Sequence, residues 1–300
     1  MKDLISVVIP TYNRADDLKK AIESVINQTY ADWELLVIDN HSTDHTREII
    51  DNINDKRIRL FEIDNQGVIA ASRNLGINNS KGKYVAFLDS DDIWTEDKLE
   101  KSMFWLNQGY DVVYHDMDIV SNNFFYFGPH QFTTRKLEQP VYSDLLVNGN
   151  TLPTSSVVVE KGMLLKANGF NESIEFIAGE DYDLWIRLSE MTQRFKKVDG
   201  TLGNLSKGND NEFSSLRLIL ILSELQKKYI SRLSPSEQAQ AYLNWIEYAY
   251  GRSLYNQKKF KKAKNHLLKV YSTSNKITYR IKAFYMLSVI AFRKVISFTL

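Results

Sequence analysis

The first ninety residues alternate between short apolar runs and amphipathic stretches. Leu4 to Ile9 is a continuous apolar run closed by Pro10, the pattern of a strand buried on both faces. Leu18, Ala21, Ile22, Val25 and Ile26 then fall at helical spacing, with Asn13 placed to cap that helix and Asp16 and Asp17 in its first turn. Leu35 to Ile38 predicts a second strand ending at Asp39. The polar turn His41-Ser42-Thr43-Asp44 leads into a helix carrying Ile49, Ile50 and Ile53. A third strand is predicted over 58–63 and a helix from Gly67 to Gly76. Gly82 precedes the strand Tyr84-Val85-Ala86-Phe87-Leu88. This regular succession predicts an α/β fold built on a mostly parallel sheet.

Beyond Asp92 the pattern loosens. Leu99, Met103 and Leu106 predict a helix, and 111–120 a strand. Residues 121–140 predict loops or short hairpin strands. A strand over 155–160, a short helix over 161–167 and a helix over 181–190 follow. From about 214 the chain reads as helical throughout. Within 242–271, Gly251, Leu254, Phe260, Ala263 and Leu267 sit at the spacing of one tetratricopeptide-like unit, or of a plain helical hairpin. The division expected is therefore 1–210 as one α/β domain and 211–300 as a helical region.

Charge sharpens that division. The net charge of +1 conceals 16 Lys/Arg against 4 Asp/Glu in 211–300, and 22 against 33 in 1–210. Opposed halves of this kind point the basic one toward an anionic surface. The apolar run 283–292 is flanked by Lys282 and Arg293-Lys294. It is too short to span a bilayer. It fits a helix lying on anionic lipid, or one buried against the rest of the protein. Five lysines within 258–264 fit either lipid contact or a solvated face. No nucleic-acid-binding module is present. With no cysteine, disulfides, thiolate metal sites and cysteine nucleophiles are excluded. No secretory signal pattern follows Met1, so the chain is expected in the cytoplasm, either free there or, in the lipid-contact alternative, peripheral on the inner membrane face.

The candidate chemistry lies in acidic residues at strand ends. Asp89-Ser90-Asp91-Asp92 follows a buried strand at the end where open α/β sheets bind ligands. If the strand continues, Asp89 and Asp91 face the same crevice. Three carboxylates there suit a divalent cation holding a diphosphate. Alone, the cluster is weak evidence, since an isolated Asp-x-Asp is more often a solvated turn capping the next helix.

It is not alone. Val8-Ile9-Pro10-Thr11-Tyr12-Asn13-Arg14, Val37-Ile38-Asp39-Asn40, Ala71-Ser72-Arg73-Asn74-Leu75-Gly76, Phe87-Leu88-Asp89-Ser90-Asp91-Asp92 and Gly179-Glu180-Asp181-Tyr182-Asp183-Leu184-Trp185 occur in this order. Together they resemble glycosyltransferase family 2, over roughly residues 4–200. The resemblance implies the GT-A fold: a Rossmann-like mixed, mostly parallel central sheet with flanking helices, here with a C-terminal all-helical region. It implies that Pro10, Thr11, Tyr12 and Arg14 line a nucleotide pocket and that Asp39 accepts a hydrogen bond from the base, most often uracil. It places Arg73 near the nucleotide or diphosphate, and Asp89 with Ser90 near the ribose or donor sugar. Asp91, with Asp89, is implied as ligand of Mn²⁺ or Mg²⁺, with Asp92 supporting. Asp181 is implied as general base, with Glu180 in reserve, and the helix N-terminus there favours an ionised Asp181. One base and no carboxylate nucleophile imply single displacement with inversion.

The implied activity is transfer of one sugar from a nucleotide-sugar donor, most often a UDP-sugar, to a saccharide or lipid-linked saccharide in surface polysaccharide or glycolipid assembly. Structural alternatives stand beside these roles: a turn cap for Asp39 and a surface ion pair for Arg73. His41 and His45 read as turn residues, and Asn40-His41 departs from the Asp-Gly of many relatives. The Gln-x-x-Arg-Trp block of processive synthases is absent. The rival functions are a sugar-nucleotide pyrophosphorylase, which needs a Gly-rich N-terminal phosphate loop, and a helical-repeat scaffold with a degenerate catalytic domain, which would lack some of the carboxylates.

Overall fold

A computed structural model describes residues 3–120, 130–206 and 212–296. The chain divides into two compact units. The first comprises 1–141, 151–174 and 180–208, and the second comprises 142–150, 175–179 and 209–300. In chain order the elements through the first unit are β1 (Ile5–Thr11), α1 (Ala15–Ile26), β2 (Trp33–Asp39), α2 (Thr46–Asn52), β3 (Ile58–Glu62), α3 (Ile69–Asn79), β4 (Tyr84–Phe87), β5 (Ile93–Trp94), α4 (Lys98–Leu106), β6 (Val112–Val120), β7 (Gln131–Phe132), α5 (Val141–Asn148), β8 (Val158–Glu160), α6 (Lys161–Lys166), α7 (Glu180–Met191) and β9 (Phe195–Ser206). Of these, α5 belongs to the second unit apart from its first residue.

The sheet runs β3-β2-β1-β4-β8-β6-β9-β5, with β7 paired to β6. Its first four strands are parallel, so Thr11, Asp39, Glu62 and Phe87 end at one edge. The remainder is mixed: β8 runs antiparallel to β4 and β6, while β9 is parallel to β6. Every residue of β1 and β2 is buried, as the unbroken apolar runs require of central strands covered on both faces. Ile5, Val7 and Ile9 join Leu18, Ile22 and Val25 of α1 in the core. Each such fully buried aliphatic side chain contributes about 1.5–3 kcal/mol. Val8 faces the other way, against α3. A Cβ on Gly76 would lie 2.4 Å from Val8 Cγ1, so glycine is what lets this helix reach the sheet.

Several expectations need correction. The first strand passes through Pro10 to Thr11, because its pairing with β2 continues to Asp39 while pairing with β4 stops at Val8. Asn13 is not the cap of α1. It has φ +50°, and its side-chain oxygen accepts the Thr43 N–H at 2.7 Å. Asp44 instead accepts the free Ala15 N–H at 3.0 Å. The strand expected over 155–160 begins as a 3₁₀ turn at 154–156. Within 121–140, where loops or short hairpin strands were expected, β7 does form a short antiparallel partner for β6. Residues 121–129 of that region lie outside the described residues.

The second unit continues with α8 (Glu212–Lys228), α9 (Pro235–Ala241), α10 (Glu247–Asn256), α11 (Phe260–Thr273) and α12 (Ile277–Ile296). Ser234 and Glu237 form a reciprocal capping box with Pro235 in the first turn. A five-residue π-helical stretch, 242–246, joins α9 to α10. Trp245 Nε1 donates to the Leu146 carbonyl of α5 at 2.9 Å. The helices α10, α11 and α12 share a core of Leu254, Ala263, Leu267, Val270, Ala283 and Ile290. Gly251 sits where a Cβ would be 2.9 Å from Leu267, the close approach its tetratricopeptide-like spacing suggested. Among the described residues, no helix is long and apolar enough to cross a membrane.

Candidate active site

The shared C-terminal edge of the parallel strands is hollow. A cleft of about 340 Å³ is lined by Pro10, Thr11, Tyr12, Arg14, Asn40, Asn65, Gly67, Ile69, Ser72, Asp89, Ser90 and Asp91. Parallel strands bring these segments together because each emerges at the same end before turning into a helix. Seven residues expected at a nucleotide site therefore line one cleft. The other four, Asp39, Arg73, Glu180 and Asp181, lie outside that lining.

The acidic cluster does not continue strand β4. It forms a tight turn, with the Asp92 N–H donating to the Asp89 carbonyl at 3.0 Å. Asp89, Ser90 and Asp91 all reach the cleft, so strand alternation is not what aims them. Asp91 is ion-paired with Arg14. Asp92 points inward. Its Oδ2 accepts the Ser155 hydroxyl at 2.5 Å and its Oδ1 accepts the Ser206 N–H at 2.8 Å. Ser155 Oγ in turn accepts the Asp89 N–H at 3.0 Å. Burial, then the charge of Asp89, pushes the Asp92 carboxyl up to about 8.

Asp39 is buried. It accepts the Ser42 hydroxyl at 2.5 Å and the Ser42 N–H at 3.2 Å, so it does hold the turn after β2. Next to it, Asn40 Oδ1 accepts the Asn65 N–H at 2.8 Å. Arg73 is no surface ion pair. It is 3% exposed, with Nη1 bonded to Glu180 and Nη2 to Asp89, each at 2.7 Å. Its guanidinium carbon lies 5.3 Å from the Phe170 ring centre. The two carboxylates hold its pKa above the ordinary arginine value against the cost of burial.

Asp181 departs from expectation. Its place at the start of α7 suggested a carboxyl kept readily ionised, yet it is raised to about 7. Burial is the main cause and the Glu180 charge adds to it. The Tyr182 N–H, donating at 2.6 Å, and Arg73 pull the other way and are outweighed. Thr154 Oγ1 lies 3.4 Å from its Oδ2. Three buried polar atoms in this region have no hydrogen-bond partner among the described residues: Thr11 Oγ1, Arg73 Nε and Glu180 Oε2. Such atoms favour a polar ligand nearby.

Sequence reasoning missed part of the lining. Asn65 and Gly67 follow β3, whose end was expected but not tied to the cleft. Ser72 precedes Arg73 within its motif and accepts from Asn65 Nδ2 at 2.8 Å. Ser155 carried no signal, since its role depends on a fold contact 63 residues from Asp92.

The profile of Glycosyl transferase family 2 matches residues 6–171, and these carry the cleft. The chain belongs to glycosyl transferase family 2. This glycosyltransferase is 34% identical over 189 residues to UDP-Glc:alpha-D-GlcNAc-diphosphoundecaprenol beta-1,3-glucosyltransferase WfgD of Escherichia coli, covering 62% of its own length and 69% of the relative's. It spans only 38%, 38% and 34% of the length of three relatives from Rickettsia. Staphylococcus aureus TarS 1-349 in complex with UDP-GlcNAc superposes with a TM-score of 0.62 at 19% identity, covering 95% of the chain and 80% of that TarS 1-349 chain. The mannosyltransferase PcManGT of Pyrobaculum calidifontis, in complex with GDP-Man and Mn²⁺, gives 0.62 at 15% identity, covering 98% and 88%. These two structures establish the GT-A fold.

Proposed function

We propose that this glycosyltransferase transfers one sugar, with inversion, from a UDP-sugar to a saccharide or lipid-linked saccharide in surface polysaccharide or glycolipid assembly, acting in the cytoplasm. The observation that carries it is the chain of contacts from the cleft to the base: Asp89 to Arg73, Arg73 to Glu180, and Asp181 next to it with a carboxyl raised to about 7. The UDP-sugar donors of WfgD and of the TarS complex, and the diphosphoundecaprenol acceptor in the WfgD name, support the choice of substrates.

In this reading Pro10, Thr11 and Tyr12 hold the nucleotide, with the unpaired Thr11 hydroxyl as a waiting partner. Asp39 is assigned to the base, which it reaches only if its carboxylate, now bonded to Ser42 behind the cleft lining, turns outward, and Asp89 to the donor sugar. Arg14 at the cleft offers a cation to the diphosphate. The residues fit a divalent ion in one limited way. Asp91 presents a carboxylate to the cleft but is paired with Arg14, which must release it to an ion; Asp89 is tied to the buried Arg73, and no group of three metal-binding side chains occurs among the described residues. One carboxylate with substrate phosphates and water is a usual Mg²⁺ or Mn²⁺ arrangement. Such an ion, when bound, neutralises the leaving diphosphate. Asp181 takes the acceptor hydroxyl proton, and a carboxyl near 7 is well matched to that step at neutral pH.

The test is donor turnover across nucleotide sugars with Mn²⁺ or Mg²⁺. For wild type, kcat/KM should rise as pH rises through about 7, since Asp181 must be ionised to accept the proton. Asp181→Asn should lower kcat by about 10²–10⁴ with donor affinity retained. Unchanged turnover in that variant sinks the assignment.

A further inference from the structure

The helix α12 has two apolar faces, and the second unit covers only one. Ala283 and Ile290 are buried in the core with α10 and α11, and Met286 and Leu287 pack against it. On the opposite side Ile277, Ile281, Phe284, Tyr285 and Phe292 are each 56–68% exposed. At 3.6 residues per turn these five fall in a stripe about 100° wide along the helix. Tyr271 of α11, 44% exposed, extends it, with its ring 5.8 Å from that of Phe284. Large aromatic and aliphatic side chains aligned on one exposed face mark an interaction surface rather than scattered surface apolars.

Charge selects the occupant. Residues 248–300 contain twelve Lys/Arg and no Asp/Glu. Arg280 and Lys282, both exposed, border the stripe on its two sides. A second copy of this region would bring more positive charge against these cations and no acidic group to meet them. An apolar band edged by cations matches a bilayer with anionic headgroups, where the rings enter the acyl boundary and the cations stay with phosphates. We infer that the outer face of α12 lies on anionic membrane, holding the enzyme at the surface peripherally. Both apolar faces of the run 283–292 are thus in use, one in the core and one for lipid. The inference rests on the sugar-transfer reading only for why a membrane is the working place.

The full chain should float with vesicles of phosphatidylglycerol and phosphatidylcholine, and much less with phosphatidylcholine alone. Added salt should weaken it. Phe284→Glu with Tyr285→Glu should reduce binding roughly tenfold or more, while circular dichroism and donor hydrolysis stay at wild-type level. Arg280→Gln with Lys282→Gln should lose the preference for anionic vesicles. Tyr285→Trp, which preserves the face, should gain fluorescence quenching by lipids brominated in the acyl chains, above the wild-type signal. No flotation of the wild type overturns the inference. So does a vesicle-bound Tyr285→Trp variant quenched no more than wild type, or an undiminished Glu double variant. A wild-type dimer in light scattering that the Glu double variant makes monomeric assigns the face to a second copy and also overturns it. None of these readouts needs sugar transfer to an acceptor, so failure here leaves the proposed reaction standing, and the reverse.

Discussion

Replacing Arg73 by methionine tests the wiring of the site. The guanidinium is 4% exposed at its side chain, and Glu180 8%, whereas Asp89 keeps 33%. The Glu180 pair is therefore buried, and removing one partner of a buried pair costs about 3–5 kcal/mol because the other charge is left uncompensated. The Asp89 pair, partly screened by solvent, adds little. Arg73→Met should thus lose about 3–5 kcal/mol in urea unfolding. Arg73→Met with Glu180→Met should recover about 2 kcal/mol or more of that loss, since the Glu180 charge that Arg73 neutralised is then gone as well. A second consequence concerns Asp181. Arg73 draws its pKa down while Glu180 raises it. In the single variant the rising limb of kcat/KM should move to higher pH, and in the double variant it should move back. Urea titration with matched pH–rate profiles checks both. A single variant within about 1 kcal/mol of wild type, or a limb displaced toward acid, refutes the account of Arg73 as the buried link between Asp89 and Glu180.

Asp91→Asn should abolish stimulation of donor turnover by Mn²⁺ and leave UDP affinity in calorimetry indifferent to the metal; retained stimulation removes Asp91 as the ligand. Asp92, raised to about 8 in the fold, keeps its proton where the unfolded chain has lost it. Native protein then binds more protons than unfolded chain between about pH 4 and 8, so this group's contribution makes stability fall as pH rises through that window. Asp92→Asn should flatten the dependence in thermal melts. Gly76→Ala forces a Cβ to 2.4 Å from Val8 Cγ1 and should cost about 1–3 kcal/mol, read as a lower urea midpoint at unchanged slope.

The parts of the site that sequence made legible are those encoded locally. Apolar runs buried on both faces declared β1, β2 and β4, and strand ends in a parallel sheet share an edge, so Thr11, Asp39 and Asp89 had to come near one another. What stayed hidden depends on contacts far apart in the chain. The strand β9, Phe195–Ser206, carries Lys196, Lys197, Asp199, Gly200 and Gly203, a composition that gives no strand signal. It forms because β6 and β5 supply partners. The inward turn of Asp92 likewise needs Ser155 and Ser206, neither predictable from the run Asp89-Ser90-Asp91-Asp92. The protonation of Asp181 shows the same division. Sequence position placed it at a helix N-terminus, a weak local field that favours the anion by about 0.3–1 kcal/mol. The fold added burial and the neighbouring Glu180, and these dominate. A motif therefore names which groups meet, while the enclosing packing decides their charge, and the chemistry proposed for Asp181 turns on the second.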